Sequence, residues 1–258
     1  MEDMFRGTLP GGALRLSQNG DPLYHYSYLS AFAERCIVPE GCCVRIRDDA
    51  PLDVAALVGC AVMTGYGAAV TRAGVTAGSS IAIFGAGGVG LSAIMGARLA
   101  RAAVIVAVDP FAFRRETALE LGATYTLDPG EDVPAALRDL TEGRGADAAI
   151  DSAGAPGVLA EAYAAVRRGG TVVAVGLPPE GLSAELPASD IAREEKVVTG
   201  SFYGSCSPQL DMPKVLDLYM DGLLPLDRLV SRSYPLEEIN EAFAAMNAGE
   251  VARAVIRP

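Results

Sequence analysis

The sequence predicts an α/β protein with a doubly wound parallel sheet, and three observations carry that reading. Apolar strand-like runs alternate regularly with helical stretches from Ser79 to Gly176. The first of those strands, Ser79 to Phe84, runs straight into Gly85-Ala86-Gly87-Gly88-Val89-Gly90, which opens a small-residue helix. The next strand, Ala103 to Val108, ends in Asp109, 19 residues beyond Gly90.

Together these make a Gly-x-Gly-x-x-Gly dinucleotide fingerprint in the strand, turn and helix context that it needs, the Rossmann arrangement. Gly85 lets the chain turn off the strand, Gly87 leaves room for a pyrophosphate, and Gly90 lets the helix pack close to the sheet, with Gly88 and Val89 between them counted as cofactor-binding. The phosphates then sit on free amides of the helix's first turn. A carboxylate at Asp109 hydrogen-bonds both ribose hydroxyls of the adenosine half and repels a 2'-phosphate, so the cofactor expected is NAD over NADP. Arg114 and Arg115 follow closely; they either hold the adenosine edge or face solvent.

Taken in order, the chain starts irregularly. Met4 to Gly12 reads as a loop, with turn signals at Pro10-Gly11 and again at Asn19-Gly20-Asp21-Pro22. Ser30 to Val38 and Cys43 to Ile46 read as two short strands around Pro39-Glu40-Gly41. Such strands cannot bury a face alone and need partners that this region does not supply. Leu52 to Ala73 is helical in pattern, interrupted near Gly59. The stretch Gly59-Cys60-Ala61-Val62-Met63-Thr64-Gly65-Tyr66-Gly67 is rich in small residues, as a close approach requires. Strands are expected at about 80–84, 103–108, 124–127, 147–151 and 171–176, with helices at 88–100, 111–121, 131–142 and 157–167. Gly122 caps the second of these helices. Asp147 to Gly154 and Thr171 to Pro179 put polar or turn residues at strand carboxyl ends, where such sheets bind ligands. The basic residues at Arg144 and Arg167-Arg168 read as solvated helix ends. Beyond lie a sixth strand at Val197–Tyr203, a helix at Leu210–Met220, an extended piece at 229–234, a helix at Leu236–Met246 opened by Pro235, and a last strand at Ala252–Ile256. Periodicity leaves that last strand's partner open between the sheet and the N-terminal strands.

Composition narrows the function. Lys+Arg 21 against Asp+Glu 32 gives a net charge of -11, which argues against nucleic acid and acidic membranes as partners. No signal-like segment or membrane span is expected, and the protein reads as cytoplasmic. The five cysteines, Cys36, Cys42, Cys43, Cys60 and Cys206, contain no C-x-x-C pair, which excludes a self-contained four-cysteine zinc site by spacing.

Gly7-Thr8-Leu9, Tyr24-His25-Tyr26, Ser30 to Glu34, Gly59-Cys60 with Thr64 to Ala69, Gly85 to Gly90, Glu120 to Thr124, and Pro235 to Phe243 fall in one order. In these motifs the chain resembles the zinc-dependent medium-chain alcohol dehydrogenases, especially the formaldehyde and aryl-alcohol branch, over nearly its whole length. The resemblance implies a partial GroES-like catalytic domain at 1–58, an NAD-binding Rossmann domain at 59–200, and a return segment at 201–258 that serves both. It implies NAD and zinc as cofactors and an alcohol or hemithioacetal, with its aldehyde, as the small-molecule partner. Cys60 matches a catalytic-zinc ligand. Thr64 and Val89 match residues against the nicotinamide, as do Val175 and Leu177 at a strand end. Asp109 and Arg114 match the adenosine-ribose contacts, Arg253 a pyrophosphate contact, and Tyr26 and Ser27 the substrate pocket. His25, the one histidine, matches a position outside the metal shell. The resemblance also implies a segment upstream of the point matched by Met1, carrying the other catalytic-zinc ligands, the proton relay and a four-cysteine lobe. Without it one thiolate cannot hold a catalytic zinc. The expectation is therefore an alcohol dehydrogenase incomplete as encoded, paired as a homodimer through the 197–203 strand or with a partner supplying that segment. The competing expectation is an NAD-binding fragment without chemistry.

Overall fold

A computed structural model describes Asp3 and residues 6–257. Met4 and Phe5, the start of the predicted loop, lie outside the described residues. The first regular element is a hairpin, β1 (Leu16–Gln18) and β2 (Asp21–Leu23), antiparallel with Leu16 opposite Leu23. Its turn uses Asn19 and Gly20, both at positive φ, as the twist of a two-residue hairpin loop demands.

Six parallel strands form the main sheet: β3 (Ser80–Phe84), β4 (Val104–Val108), β5 (Tyr125–Leu127), β6 (Ala146–Asp151), β7 (Val166–Ala174) and β8 (Val197–Gly200). Their order is β5-β4-β3-β6-β7-β8, so β3 lies at the centre and the direction of winding reverses between β3 and β6. The helices between them are α2 (Gly88–Leu99), α3 (Ala112–Leu121), α4 (Val133–Leu140) and α5 (Val158–Ala165), preceded by α1 (Leu52–Arg72). Both faces of the sheet are covered, so every residue of β3 is buried and the strand reads as a continuous apolar run. On one face Ile81, Ile83 and Ile105 pack with Leu91 and Ile94 of α2 and with Val62 and Met63 of α1. On the other, Phe84 and Val106 pack with Leu137 of α4 and Ala162 and Tyr163 of α5.

The chain then adds α6 (Ala188–Glu194), α7 (Pro208–Met220), β9 (Arg232–Pro235), α8 (Ile239–Asn247) and β10 (Ala254–Arg257). β10 pairs in parallel with β9, Val255 opposite Ser233, which decides the partner that periodicity left open.

Several expectations are corrected. The strands predicted at 30–38 and 43–46 do not form: among the described residues no strand lies beside them, and Glu40–Cys42 is one 3-10 turn. α1 is not interrupted at Gly59; it continues through π-turns at Val58–Val62 and Ala68–Arg72. At 21 residues and a mean hydropathy of 1.7, α1 is long and apolar enough to cross a membrane by length and composition alone, and more than half of that stretch is buried inside the protein. Gly65 lies so close to α2 that a Cβ there would stand 2.0 Å from the Val89 carbonyl oxygen. The helix predicted to end at 167 ends at Ala165, and Arg167 is a strand residue bonded to Asp147 at 2.6 Å, not a solvated helix end. The sixth strand stops at Gly200 instead of Tyr203, and its Val197 and Val198 stand exposed on the sheet edge.

Asp147 ties three adjacent strands at the sheet's amino end. Its carboxylate accepts from the Ser80 amide at 2.7 Å, the Ser80 hydroxyl at 2.8 Å and Arg167 Nε at 2.6 Å. Burial alone would raise its pKa, but the Ser80 amide, Arg167 and the Ser80 hydroxyl outweigh it and hold the group below the ordinary carboxylate range. A depressed acid stabilises the fold fully above its unfolded pKa and loses that stabilisation as pH falls through the folded value. Thermal melts of Asp147→Asn should therefore lose less stability than wild type as pH drops below about 4. Equal acid slopes would remove Asp147 from that role.

Candidate functional site

β3 delivers the chain into the glycine loop at the point where the sheet's winding reverses, the place where such sheets bind ligands. Gly85 has φ +93°, which a side chain would strain. Gly90 lies so close beneath the loop that a Cβ would meet the Gly85 carbonyl oxygen at 1.8 Å. Gly87, by contrast, faces open space, with nothing within 4 Å of a Cβ built there. Leu91 N–H is the first amide of α2 to find an intrahelical acceptor, Gly87 O at 2.8 Å, so the amides of Gly88 to Gly90 point out of the helix end. Gly85 thus turns the chain, Gly90 admits the close approach of α2, and Gly87 leaves open space at the helix end.

Asp109 stands at the carboxyl end of β4 and is almost wholly buried. Its Oδ2 accepts from the Ala86 amide at 2.8 Å and its Oδ1 from the Phe111 amide at 2.9 Å, so the acid also fixes the glycine loop to the neighbouring strand. The two arginines left open by the sequence separate here. Arg115 is committed to the fold through the Asp109 carbonyl at 2.6 Å and Asp128 at 2.9 Å. Arg114 stays near the acid, its Nη1 3.7 Å from Asp109 Oδ2, and its buried Nε has no hydrogen-bond partner among the described residues.

Arg253 comes from β10's leading edge, where Ser231 N–H donates to its carbonyl at 2.9 Å. Its guanidinium lies on Gly88, the first residue of α2: a Cβ on Gly88 would stand 2.0 Å from Arg253 Nε. That Nε is buried and unpartnered among the described residues. Burial pulls the Arg253 pKa below its ordinary value, while nearby Cys60 offsets part of the effect. A cation desolvated beside the positive end of a helix is complete only when an anion arrives. The arrangement fits a pyrophosphate.

The ends of β6 and β7 close the other side. Ser152 Oγ donates to Phe84 O and Gly85 O at 2.9 and 2.8 Å, bracing the loop. Asp151 Oδ1 accepts from the amides of Ala153 and Gly154, yet its burial outweighs them and raises its pKa. Gly154 and Gly176 touch so closely that a Cβ on Gly176 would meet Gly154 N at 2.2 Å. Val175 is half-buried beside them, and Leu177 is 85% exposed.

Cys60 sits in the first π-turn of α1 and opens on a cavity of about 330 Å³ walled by Phe32, Leu57, Leu236, Arg253 and Val255. Thr64 follows four residues on in the same helix. Gly65 against the Val89 carbonyl brings Thr64 and Val89 to one junction. Tyr203, which the sequence reading did not single out, donates its hydroxyl to the Gly59 carbonyl in that π-turn. Burial, then Cys60 and Cys206, push its pKa up to about 12, so the phenol remains a proton donor at neutral pH. Its only sequence signal is the glycine beside it: Tyr203, Gly204 and Ser205 all have positive φ, and Gly204 touches the Met63 carbonyl. The structure does not bring the two predicted pocket residues to the cavity wall: Tyr26 is 82% exposed, and Ser27 lies beside it at positive φ. His25 is buried, with Nε2 accepting from the Arg15 amide at 3.2 Å, as a structural histidine does.

A catalytic zinc needs three protein donors and an open position. Cys60 is the single donor of that kind on the cavity wall, and among the described residues no three His, Cys, Asp or Glu side chains gather. The described residues by themselves do not fit a zinc ion. All five thiols are free.

Comparison with known proteins gives the chain's family. The family described as "Zinc-binding dehydrogenase" matches residues 88–221. The chain is 39% identical over 256 residues to a putative alcohol dehydrogenase D of Mycobacterium tuberculosis, covering 98% of this chain and 70% of the relative. It is 39% identical over 253 residues to the NDMA-dependent alcohol dehydrogenase of Amycolatopsis methanolica, covering 97% and 68%. Among solved structures, an alcohol dehydrogenase zinc-binding domain protein from Burkholderia ambifaria superposes with a TM-score of 0.92 at 37% identity, covering 99% of this chain and 70% of that one. Benzyl alcohol dehydrogenase from Acinetobacter calcoaceticus does so with a TM-score of 0.90 at 31% identity, covering 98% and 70%. With its Rossmann strand order, its glycine loop and these relatives, the chain belongs to the zinc-binding dehydrogenase family, among the medium-chain alcohol dehydrogenases.

Proposed function

We propose that the chain binds NAD across the carboxyl edge of its sheet and serves hydride transfer between an alcohol and that cofactor. The observation that carries this is the Arg253 guanidinium held on Gly88 at the open end of α2, its Nε buried and without a hydrogen-bond partner among the described residues. NAD, when bound, accepts the hydride. The chain's own part is binding and orientation. Arg253 and the amides of Gly88 to Gly90 hold the pyrophosphate, Asp109 and Arg114 hold the adenosine ribose, and Thr64, Val89 and Val175 set the nicotinamide against the Cys60 cavity. Tyr203 fixes the π-turn that presents Cys60.

Cys60 is the one metal-ligating side chain on the cavity beside Phe32, so the described residues by themselves support binding and orientation of the cofactor and no metal step. β8, with Val197 and Val198 exposed, is the edge through which two copies pair. The substrate class is a small alcohol and its aldehyde.

Titration of the purified chain with NADH, followed by fluorescence, tests the reading. Wild type should bind, and Arg253→Ala should bind about 10- to 100-fold more weakly, the loss of a charge-assisted contact to phosphate. An alanine variant as tight as wild type would remove Arg253 from the site, and a wild type that does not bind would end the NAD reading.

A further inference from the structure

The two buried arginine nitrogens without partners, Arg114 Nε and Arg253 Nε, belong to opposite ends of the proposed dinucleotide site. One ring lies against the first of them and against the turn that carries the second. Phe111 is the residue that caps α3, and its amide donates to Asp109 Oδ1 at 2.9 Å. Its ring lies under the Arg114 guanidinium, 4.8 Å from centroid to Cζ, and the Phe113 ring centroid is 5.7 Å from the same carbon. The tip of the ring packs on Gly249: a Cβ there would stand 3.3 Å from Phe111 Cζ. Gly249 has φ +74° and lies in the turn between α8 and β10, four residues before Arg253.

We propose that Phe111 is a positioning residue of the dinucleotide site, setting the adenosine-end cation Arg114 and the pyrophosphate-end cation Arg253 at a fixed separation. The inference rests on the NAD reading above. At 3.7 Å the contact between Arg114 and Asp109 is an ion pair without a hydrogen bond, so the aromatic stack orients the guanidinium plane. Phe111 is 43% exposed and belongs to none of the buried clusters, so core filling does not account for a phenyl ring here. The same ring closes the gap between the β4–α3 loop and the turn that carries Arg253. An aliphatic side chain of similar bulk would keep the second contact and lose the first.

The test is direct titration of the full chain with NADH and with ADP-ribose, for wild type, Phe111→Leu and Phe111→Tyr, alongside thermal melts. Phe111→Leu should raise both dissociation constants about fivefold, the effect of a lost cation–π contact, while melting within about 2 °C of wild type. Phe111→Tyr, which keeps the ring, should restore both. A leucine variant that binds ADP-ribose like wild type overturns the proposal, and so does a tyrosine variant as weak as the leucine one. A wild type that binds neither ligand overturns the NAD reading and this proposal with it, whereas wild-type binding with an unaffected leucine variant overturns the proposal alone.

Discussion

Gly90→Ala is expected to lose NADH binding and to melt about 10 °C below wild type. The added Cβ would sit 1.8 Å from the Gly85 carbonyl oxygen and 3.0 Å from Ser152 Oγ. The hydroxyl can rotate away, but the carbonyl belongs to a backbone turn braced by Ser152 on one side and by Asp109, through Ala86, on the other. Relief therefore requires α2 to move off the sheet. Forced overpacking of this kind destabilises by about 3 kcal/mol, or about 10 °C for a chain of this size. Moving α2 also displaces the amides of Gly88 to Gly90 and the surface on which Arg253 rests, so binding and stability should fall together. Thermal melts and NADH titration of the same preparation check this. A variant that melts with wild type and still binds would mean that the loop and helix are not packed in this way.

Asp109→Ala should weaken NADH about 100-fold while leaving NADPH much less affected. The carboxylate has two oxygens, each already accepting one backbone amide and each retaining a lone pair for a ribose hydroxyl. Removing it strands the buried amide of Ala86, frees that of Phe111, and deletes charged hydrogen bonds to the cofactor, each worth about 1.5–3 kcal/mol. It also removes the charge that repels a 2'-phosphate, and leaves Arg114 free to meet one. The ratio of the two dissociation constants is the informative readout. If NADH and NADPH weaken equally, Asp109 supports the loop without choosing the cofactor.

The alternation of strands and helices from Ser80 to Ala174 was legible because it is local. Period-2 and period-3.6 patterns, glycine spacing and a capping glycine at 122 each speak through a few neighbouring residues. The same code misled at 30–38 and 43–46, where residues of strand character lie beside no strand among those described. A strand exists only when another supplies its hydrogen bonds, and propensity cannot provide one. Near Gly59 the glycine suggested a break, yet packing against α2 and the Tyr203 hydroxyl carry the helix through as a π-turn.

What the sequence by itself determined is the parallel α/β class, the glycine loop with its acid, and the element that each belongs to. Family resemblance added Cys60 and Arg253 as site residues. Only the tertiary structure decided the strand order, the pairing of β10 with β9, the separation of Arg114 from Arg115, and the meeting of Arg253 with Gly88 and of Phe111 with Gly249. These are contacts between residues far apart in the chain or between side chains competing for one partner. They are fixed by the shape of the assembled core, and no short window of sequence contains that shape.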